Sequence, residues 1–335
     1  MLRTILIFFF AIGFIQIHGQ GCLYTRQSDS LFLVKFYDGL ENKGLMFEWD
    51  FAKPLDKIDP LRVRLSSDGC HIEYLNFENS GLKTQGYLFP MLLLGMTHLK
   101  YLNLSFCNLK GNIPNELYNL NNLSHLDLSY NFFSGRLNPS ISKLTNLEYL
   151  VLSENQLFGE LIPEIFQLTS LKDLNLRKNK LSGGISFKIS KLKNLEKLRL
   201  GQNNFTGTLP PEIGQLIQLT EFSVQGNQFE GAIPSSFDQL TNLQIIYLND
   251  NYFNEIPKLP NTWYRLLNIS GNNFTFEDLL PVFQSKLNSS AEFYYSPQRE
   301  FTVGNRYYLN PGAKHTMTVS FDESVAGNKI NWLRN

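Results

Sequence analysis

The chain has 335 residues, with 30 basic and 30 acidic side chains and a formal net charge of zero. A charge this evenly balanced, with no run of Lys or Arg, argues against nucleic acid as a partner. The length would hold two ordinary domains, a prior that fails if the chain is a repeat array.

Residues 1–19, MLRTILIFFFAIGFIQIHG, read as a signal peptide. Arg3 precedes an apolar run from Ile5 to Ile17, interrupted only by Gly13 and Gln16. These 13 residues are too few to span a bilayer but suit the h-region of a secretory signal. Cleavage is expected after Gly19, giving a secreted or cell-surface protein. Cys22 raises the alternative of a lipoprotein, but Gly19-Gln20-Gly21-Cys22 lacks the aliphatic residue expected three positions before a lipidated cysteine. No later stretch approaches 18 apolar residues, so no transmembrane helix is expected in the mature chain.

Residues 20–71 read as an amino-terminal cap. The polar cluster at Gln27-Ser28-Asp29-Ser30 precedes a short helix that places Leu31 and Val34 on one side. A strand-like Leu61-Arg62-Val63-Arg64-Leu65 follows. Such a segment covers the open end of a stacked core. Cys22 and Cys70 both lie in it and are candidates for a disulfide in an exported protein; their spacing alone leaves the pairing open.

From Ile72 onward one unit recurs. In Leu195–Gln218, the residues Leu195, Leu198, Leu200, Asn203, Phe205, Gly207, Leu209 and Pro210 occupy positions 1, 4, 6, 9, 11, 13, 15 and 16. Units starting at Leu99, Leu123, Leu147, Leu171, Leu219 and Leu243 share this frame at intervals of 24 residues. An irregular unit opens the array at Ile72, and another closes it at Tyr264. Nine coils are therefore expected over residues 72–284. Such a period is the signature of a leucine-rich repeat. Positions 4 and 6 alternate as a strand does, and stacked coils turn those strands into a parallel sheet over a leucine core. Position 9 is Cys107, then Asn131, Asn155, Asn179, Asn203, Asn227, Asn251 and Asn272. A carboxamide both donates and accepts, so these read as a structural ladder that satisfies turning backbone, with Cys107 as a buried, unpaired thiol in the same slot.

The back half of the units carries Gly111-Asn112-Ile113-Pro114, Gly207-Thr208-Leu209-Pro210 and Gly231-Ala232-Ile233-Pro234. This resembles the plant-type leucine-rich repeat, in which LxGxIP follows the Asn turn. The resemblance implies an α/β solenoid, a superhelix with a parallel β-sheet on its concave face, a second short strand and 3₁₀ turns. Three departures stand out. Leu161 reads as an inserted residue in Gly159-Glu160-Leu161-Ile162-Pro163, and the units at Gly135-Arg136-Leu137-Asn138 and Gly183-Gly184-Ile185-Ser186 lack their proline.

After residue 284 the repeat stops. Residues 285–335 show alternation broken by turns, with Phe293-Tyr294-Tyr295, Arg306–Leu309, His315–Phe321 and a late Trp332, and read as antiparallel β-structure. The segment resembles the start of an immunoglobulin-like module, as in exported repeat proteins of the Bacteroidetes type. That implies a truncated gene product; the alternative is a short β cap.

No catalytic constellation emerges. No HExxH, GxSxG, P-loop or GxGxxG motif is present, and no metal or cofactor is expected. Cys107 with His125 is a poor thiol–base pair because one points inward and the other outward. The expected binding surface is the outward side of the strands, at positions 2, 3, 5, 7 and 8. There Tyr74, Tyr101, Phe106, His125, Tyr130 and Tyr149 form an aromatic patch across four coils. Arg177, Lys197, Arg199 and Tyr247 extend the candidate face. Aromatic side chains suit both protein hot spots and sugar stacking. The expected function is a non-enzymatic recognition module for a protein or polysaccharide. A receptor ectodomain or adhesin fragment is the first alternative, and a glycan-active enzyme the second. Several of the sequons at Asn103, Asn122, Asn204, Asn268, Asn273 and Asn288 arise from the repeat pattern, and they matter only in a eukaryotic host.

Overall fold

The computed structural model describes residues 61–67, 70–80, 89–257, 259, 264–275, 277–279, 282 and 292–295. The expected signal peptide, the expected cap helix, Cys22 and Trp332 lie outside them. The chain divides into two compact units between Leu181 and Ser182.

In the first unit, Val63–Leu65 pairs antiparallel with Ile72–Asn76. Tyr101–Asn103, His125–Asp127, Tyr149–Val151 and Asp173–Asn175 then follow in parallel, one strand per coil. The register is in phase: Tyr74 faces Tyr101, Tyr101 faces His125, His125 faces Tyr149, and Tyr149 faces Asp173. In the second unit, Lys197–Arg199, Glu221–Ser223, Ile245–Tyr247, Leu266–Asn268 and Glu292–Tyr294 form a parallel sheet of the same kind. Its last strand corrects the expected boundary. Glu292–Tyr294 pairs in parallel with Leu266–Asn268, so the sheet continues past residue 284 rather than turning antiparallel there. The later β segments lie outside the described residues.

The leucines at positions 1, 4 and 6 are the core. Leu147, Leu150 and Leu152 are buried, as are their counterparts in each coil from Leu99 to Leu243. Each such side chain contributes about 1.5–3 kcal/mol on burial. Position 11 adds stacked phenylalanines in the second unit: Phe205, Phe229 and Phe253, with ring centroids 6.0 and 6.2 Å apart.

Position 9 is a hydrogen-bonded ladder. The Asn155 Nδ2 donates to the carbonyls of Leu128, Leu152 and Ser153 at 2.9, 3.2 and 3.2 Å, and its Oδ1 accepts from the Phe133 amide at 2.9 Å. One side chain thus ties its own turn to the coil before it, and Asn131, Asn179, Asn227, Asn251 and Asn272 do the same. The described bonds of Asn203 run from its Nδ2 to the carbonyls of Leu200 and Gly201. Cys107 takes this place with a thiol whose Sγ lies 3.1 Å from the Phe77 carbonyl, and it is fully buried. Ser80, buried against Cys107 at 3.7 Å, begins the ladder; sequence reasoning missed it. Cys70 is disulfide-bonded.

Beyond the ladder, each coil from the one at Leu99 to the one at Leu219 makes a second short strand and a five-residue 3₁₀ turn. In the first unit the second strands are Lys110–Asn112, Phe132–Gly135 and Gln156–Glu160. In the second unit they are Asn204–Gly207, Gln228–Ala232 and Tyr252–Glu255. Gly135 sits at φ +92 with the Asn112 Oδ1 only 2.7 Å from where a Cβ would stand, so a side chain there meets both strain and a clash.

The departures resolve in two ways. Leu161 is not inserted: it is buried at position 15, like Leu137, Leu209 and Ile233, and Ile162 stands where other coils have proline. Ile162 adopts φ −70, the angle of Pro210 at −71, and Pro163 opens the 3₁₀ turn behind it. Where position 16 is Asn or Ser, its side chain caps the turn. Asn138 accepts from the Ser140 amide at 2.8 Å and Ser186 from the Lys188 amide at 3.3 Å. In the Pro114, Pro210 and Pro234 coils no side chain caps the turn. A ring that fixes φ and a hydroxyl or amide that accepts an orphan N–H are alternative ways to start the same turn.

Candidate binding face

The in-phase register stacks position 3 into a column on the outward side of the first sheet. The rings of Tyr74 and Tyr101 lie 4.1 Å apart, those of Tyr101 and His125 4.2 Å, and both pairs are near parallel. His125 and Tyr149 are 5.4 Å apart and tilted by 35°. The Arg64 guanidinium lies 4.2 Å over Tyr74 and closes one end of the stack. Tyr149 stands at the other end and is 37% exposed.

A second column forms at position 8. Phe106 and Tyr130 stack at 3.9 Å, and each is 43% exposed. Both have left-handed backbone, at φ 56 and 53, because the chain turns sharply into the ladder there. Bulky residues visit this region rarely and at a cost. At the matching position, two coils of the second unit use glycine, Gly226 and Gly271.

The rings dry out the groups between them. Burial drives His125 down to about 4, so it is neutral at neutral pH, and burial pushes Tyr101 up to about 12. Asp127, on the same strand as His125, is raised by desolvation against the opposing pull of two bonds from Ser129. Those bonds come from the Ser129 amide at 2.8 Å and its hydroxyl at 2.6 Å.

Position 7 corrects the expected face. At that position Ser105, Ser129 and Ser153 are buried, whereas Arg177 is partly exposed. Position 5 also carries a pattern that sequence reasoning did not use. Asn76, Asn103, Asp127, Asn175 and Asn268 each accept from the amide two residues on, at 3.0, 2.8, 2.8, 3.2 and 3.2 Å. An Asn or Asp at the last residue of these five strands was the available signal. Asn103 is buried with its Oδ1 so engaged.

Arg177 and Arg199 are already paired. Arg177 and Lys178 hold Glu154 at 3.5 and 2.6 Å, and Lys172 holds Glu148 at 2.6 Å. In the second unit, Arg199 grips Glu221 through two bonds of 2.7 Å. Lys197 lies opposite Glu221, and Tyr247 between Ser223 and Asn268. The aromatic residues thus converge within the first unit, whereas Lys197, Arg199 and Tyr247 belong to the second. Among the described residues, no helix is long and apolar enough to cross a membrane, and no cluster of His, Cys, Asp and Glu could hold a metal ion.

A family model described as Leucine Rich Repeat matches residues 98–120, 122–144, 146–168, 194–216 and 218–240. These coils are leucine-rich repeats. No curated protein matches the chain. Solved leucine-rich-repeat structures do. The plant peptide hormone receptor RGFR1, in complex with RGF2, is 30% identical with a TM-score of 0.54, covering 56% of this chain and 30% of that one. The PEPR1–AtPEP1 structure is 25% identical with a TM-score of 0.65, covering 81% of this chain and 42% of that one. The LRR protein LIC12759 of Leptospira interrogans is 30% identical with a TM-score of 0.54, covering 62% and 52%. The chain therefore spans less than half the length of the RGFR1 and PEPR1 structures.

Proposed function

We propose that this leucine-rich-repeat protein is an exported, non-enzymatic recognition module that binds a peptide or protein on the outward face of its first sheet. The observation that carries the reading is the continuous aromatic stack from Tyr74 to Tyr149, flanked by Phe106 and Tyr130. Rigid rings present large contact area at little entropic cost, which suits the centre of an interface. Two receptor structures to which the chain is similar were solved as RGFR1 with RGF2 and as PEPR1–AtPEP1, and this supports a peptide or protein as the partner class. A polysaccharide fits less well. Sugar stacking needs an open ring face, and both faces of Tyr101 are covered by Tyr74 and His125.

The test is a displayed random-peptide library selected on the full chain. Tyr101→Ala with Tyr149→Ala should weaken the selected peptides at least 10-fold, while Phe187→Ala, on an exposed 3₁₀ turn, should leave them unchanged. Equal affinity for the double variant and the native chain would reject this face.

A further inference from the structure

Asp127 stands out within the aromatic face. Position 5 has a structural task, accepting the amide two residues on, and Asn76, Asn103, Asn175 and Asn268 perform it as neutral carboxamides. Asp127 performs the same task with the same geometry, at 2.8 Å. The carboxylate therefore adds a charge that the fold does not use. It adds it in a place walled by rings, where a charge is costly to desolvate. Among the described residues no cation pairs with it: Lys100 is held by Glu73, Lys172 by Glu148, and Arg177 and Lys178 by Glu154. Its cross-strand neighbours, Asn103 and Val151, bring no positive charge. The same stack shows what a cation does beside these rings. At the Tyr74 end, the chain's own Arg64 guanidinium lies 4.2 Å over the ring. At the opposite end, Tyr149 is partly exposed and sits diagonally across from Asp127.

We propose that the open end of the stack receives an arginine side chain of the partner, with the Asp127 carboxylate accepting the guanidinium and the Tyr149 ring supporting its plane. This rests on the binding role of the face and adds the chemistry that it selects. A carboxylate beside an aromatic ring satisfies both features of arginine, its planar fork of donors and its preference for ring faces. The unpaired charge is then a cost carried by the free protein and relieved on binding.

The experiment is saturation-transfer NMR on the full chain with N-acetyl-arginine amide and its neutral citrulline analogue at millimolar concentration. Transfer to the arginine side-chain protons should exceed that to citrulline at least 5-fold. Asp127→Asn should reduce it to the citrulline level while leaving the melting temperature equal or higher, since asparagine already serves at this position in four other coils. A purely structural role for Asp127 would instead lower the melting temperature. Equal transfer to the two probes, no transfer to either, or no effect of Asp127→Asn would overturn the arginine site. The face itself is judged separately: peptides that lack basic residues, yet lose affinity in the Tyr101→Ala, Tyr149→Ala variant, would retain it without the cation.

Discussion

At the scale of single residues, two kinds of side chain carry the molecule. The ladder asparagines each satisfy several backbone groups that the turn leaves without partners. One bond is worth about 1 kcal/mol net, but leaving its buried partner unsatisfied costs about 1–3 kcal/mol. The ladder was legible in the sequence because its spacing is fixed and its chemistry is local. His125 is of the second kind. Its position in the column was legible, but its charge state was not, because that depends on rings from neighbouring coils. Its pKa is lowered from 6.5 to about 4 by burial between Tyr101 and Tyr149. Between those two values the unfolded chain binds the proton and the folded chain does not. Stability contributed by neutral His125 is therefore present above pH 6.5 and is lost as the pH falls toward 4. Asp127, raised by the same burial, works in the opposite sense as the folded state takes up its proton. Urea midpoints at pH 7 and pH 5 should fall for the native protein, and fall less for His125→Asn. The difference should be about 1–2 kcal/mol after allowance for partial exposure. Identical pH dependence of the two proteins would show that the imidazole is not desolvated.

At the scale of the element, the coils reach one backbone course by different chemistry. A proline at position 16 and a capping side chain at the same place start equivalent 3₁₀ turns. Ser186→Ala should therefore cost about 1 kcal/mol, the usual value of a lost cap. Ser186→Pro should be near neutral, because Ser186 already holds φ −71 and proline lowers the entropy of the unfolded chain. Thermal unfolding of the two variants distinguishes them, and equal losses would deny the equivalence. The sequence showed that proline was missing at Ser186 and Asn138 but not what replaced it. A cap is a bond between a side chain and an amide two residues on, and it has no hydrophobic period to reveal it. Leu161 was misread for a related reason: with proline displaced by one residue, the motif looked longer although the core positions had not moved.

At the scale of the molecule, stability is a sum of coils and the contacts each makes with the next. Removing residues 219–242, one whole unit of the 24-residue frame, should join Lys197–Arg199 to Ile245–Tyr247 in the register each now has with Glu221–Ser223. That deletion should fold, with parallel strands retained in its circular dichroism and a modestly lower melting temperature. A deletion of 12 residues should not fold, because it breaks the phase of every later leucine. Failure of both would mean that the coils are not interchangeable. The period made the repeat fold legible. The proposed partner chemistry was less so, since it rests on one carboxylate, Asp127, among the position-5 side chains that accept the amide two residues on, and those bonds become visible only in the structure.

The buried thiol of Cys107 has a consequence of its own. A chain with an odd number of cysteines risks scrambled pairing wherever oxidants act, because a spare sulfur can attack an existing bridge. Here that sulfur has no exposed surface and lies against backbone oxygen. Exchange must wait for its coil to open, so the order of events matters. If the coil closes before oxidation begins, bridge fidelity is secured by geometry alone, and the spare sulfur becomes a clock for how often the amino-terminal coils breathe.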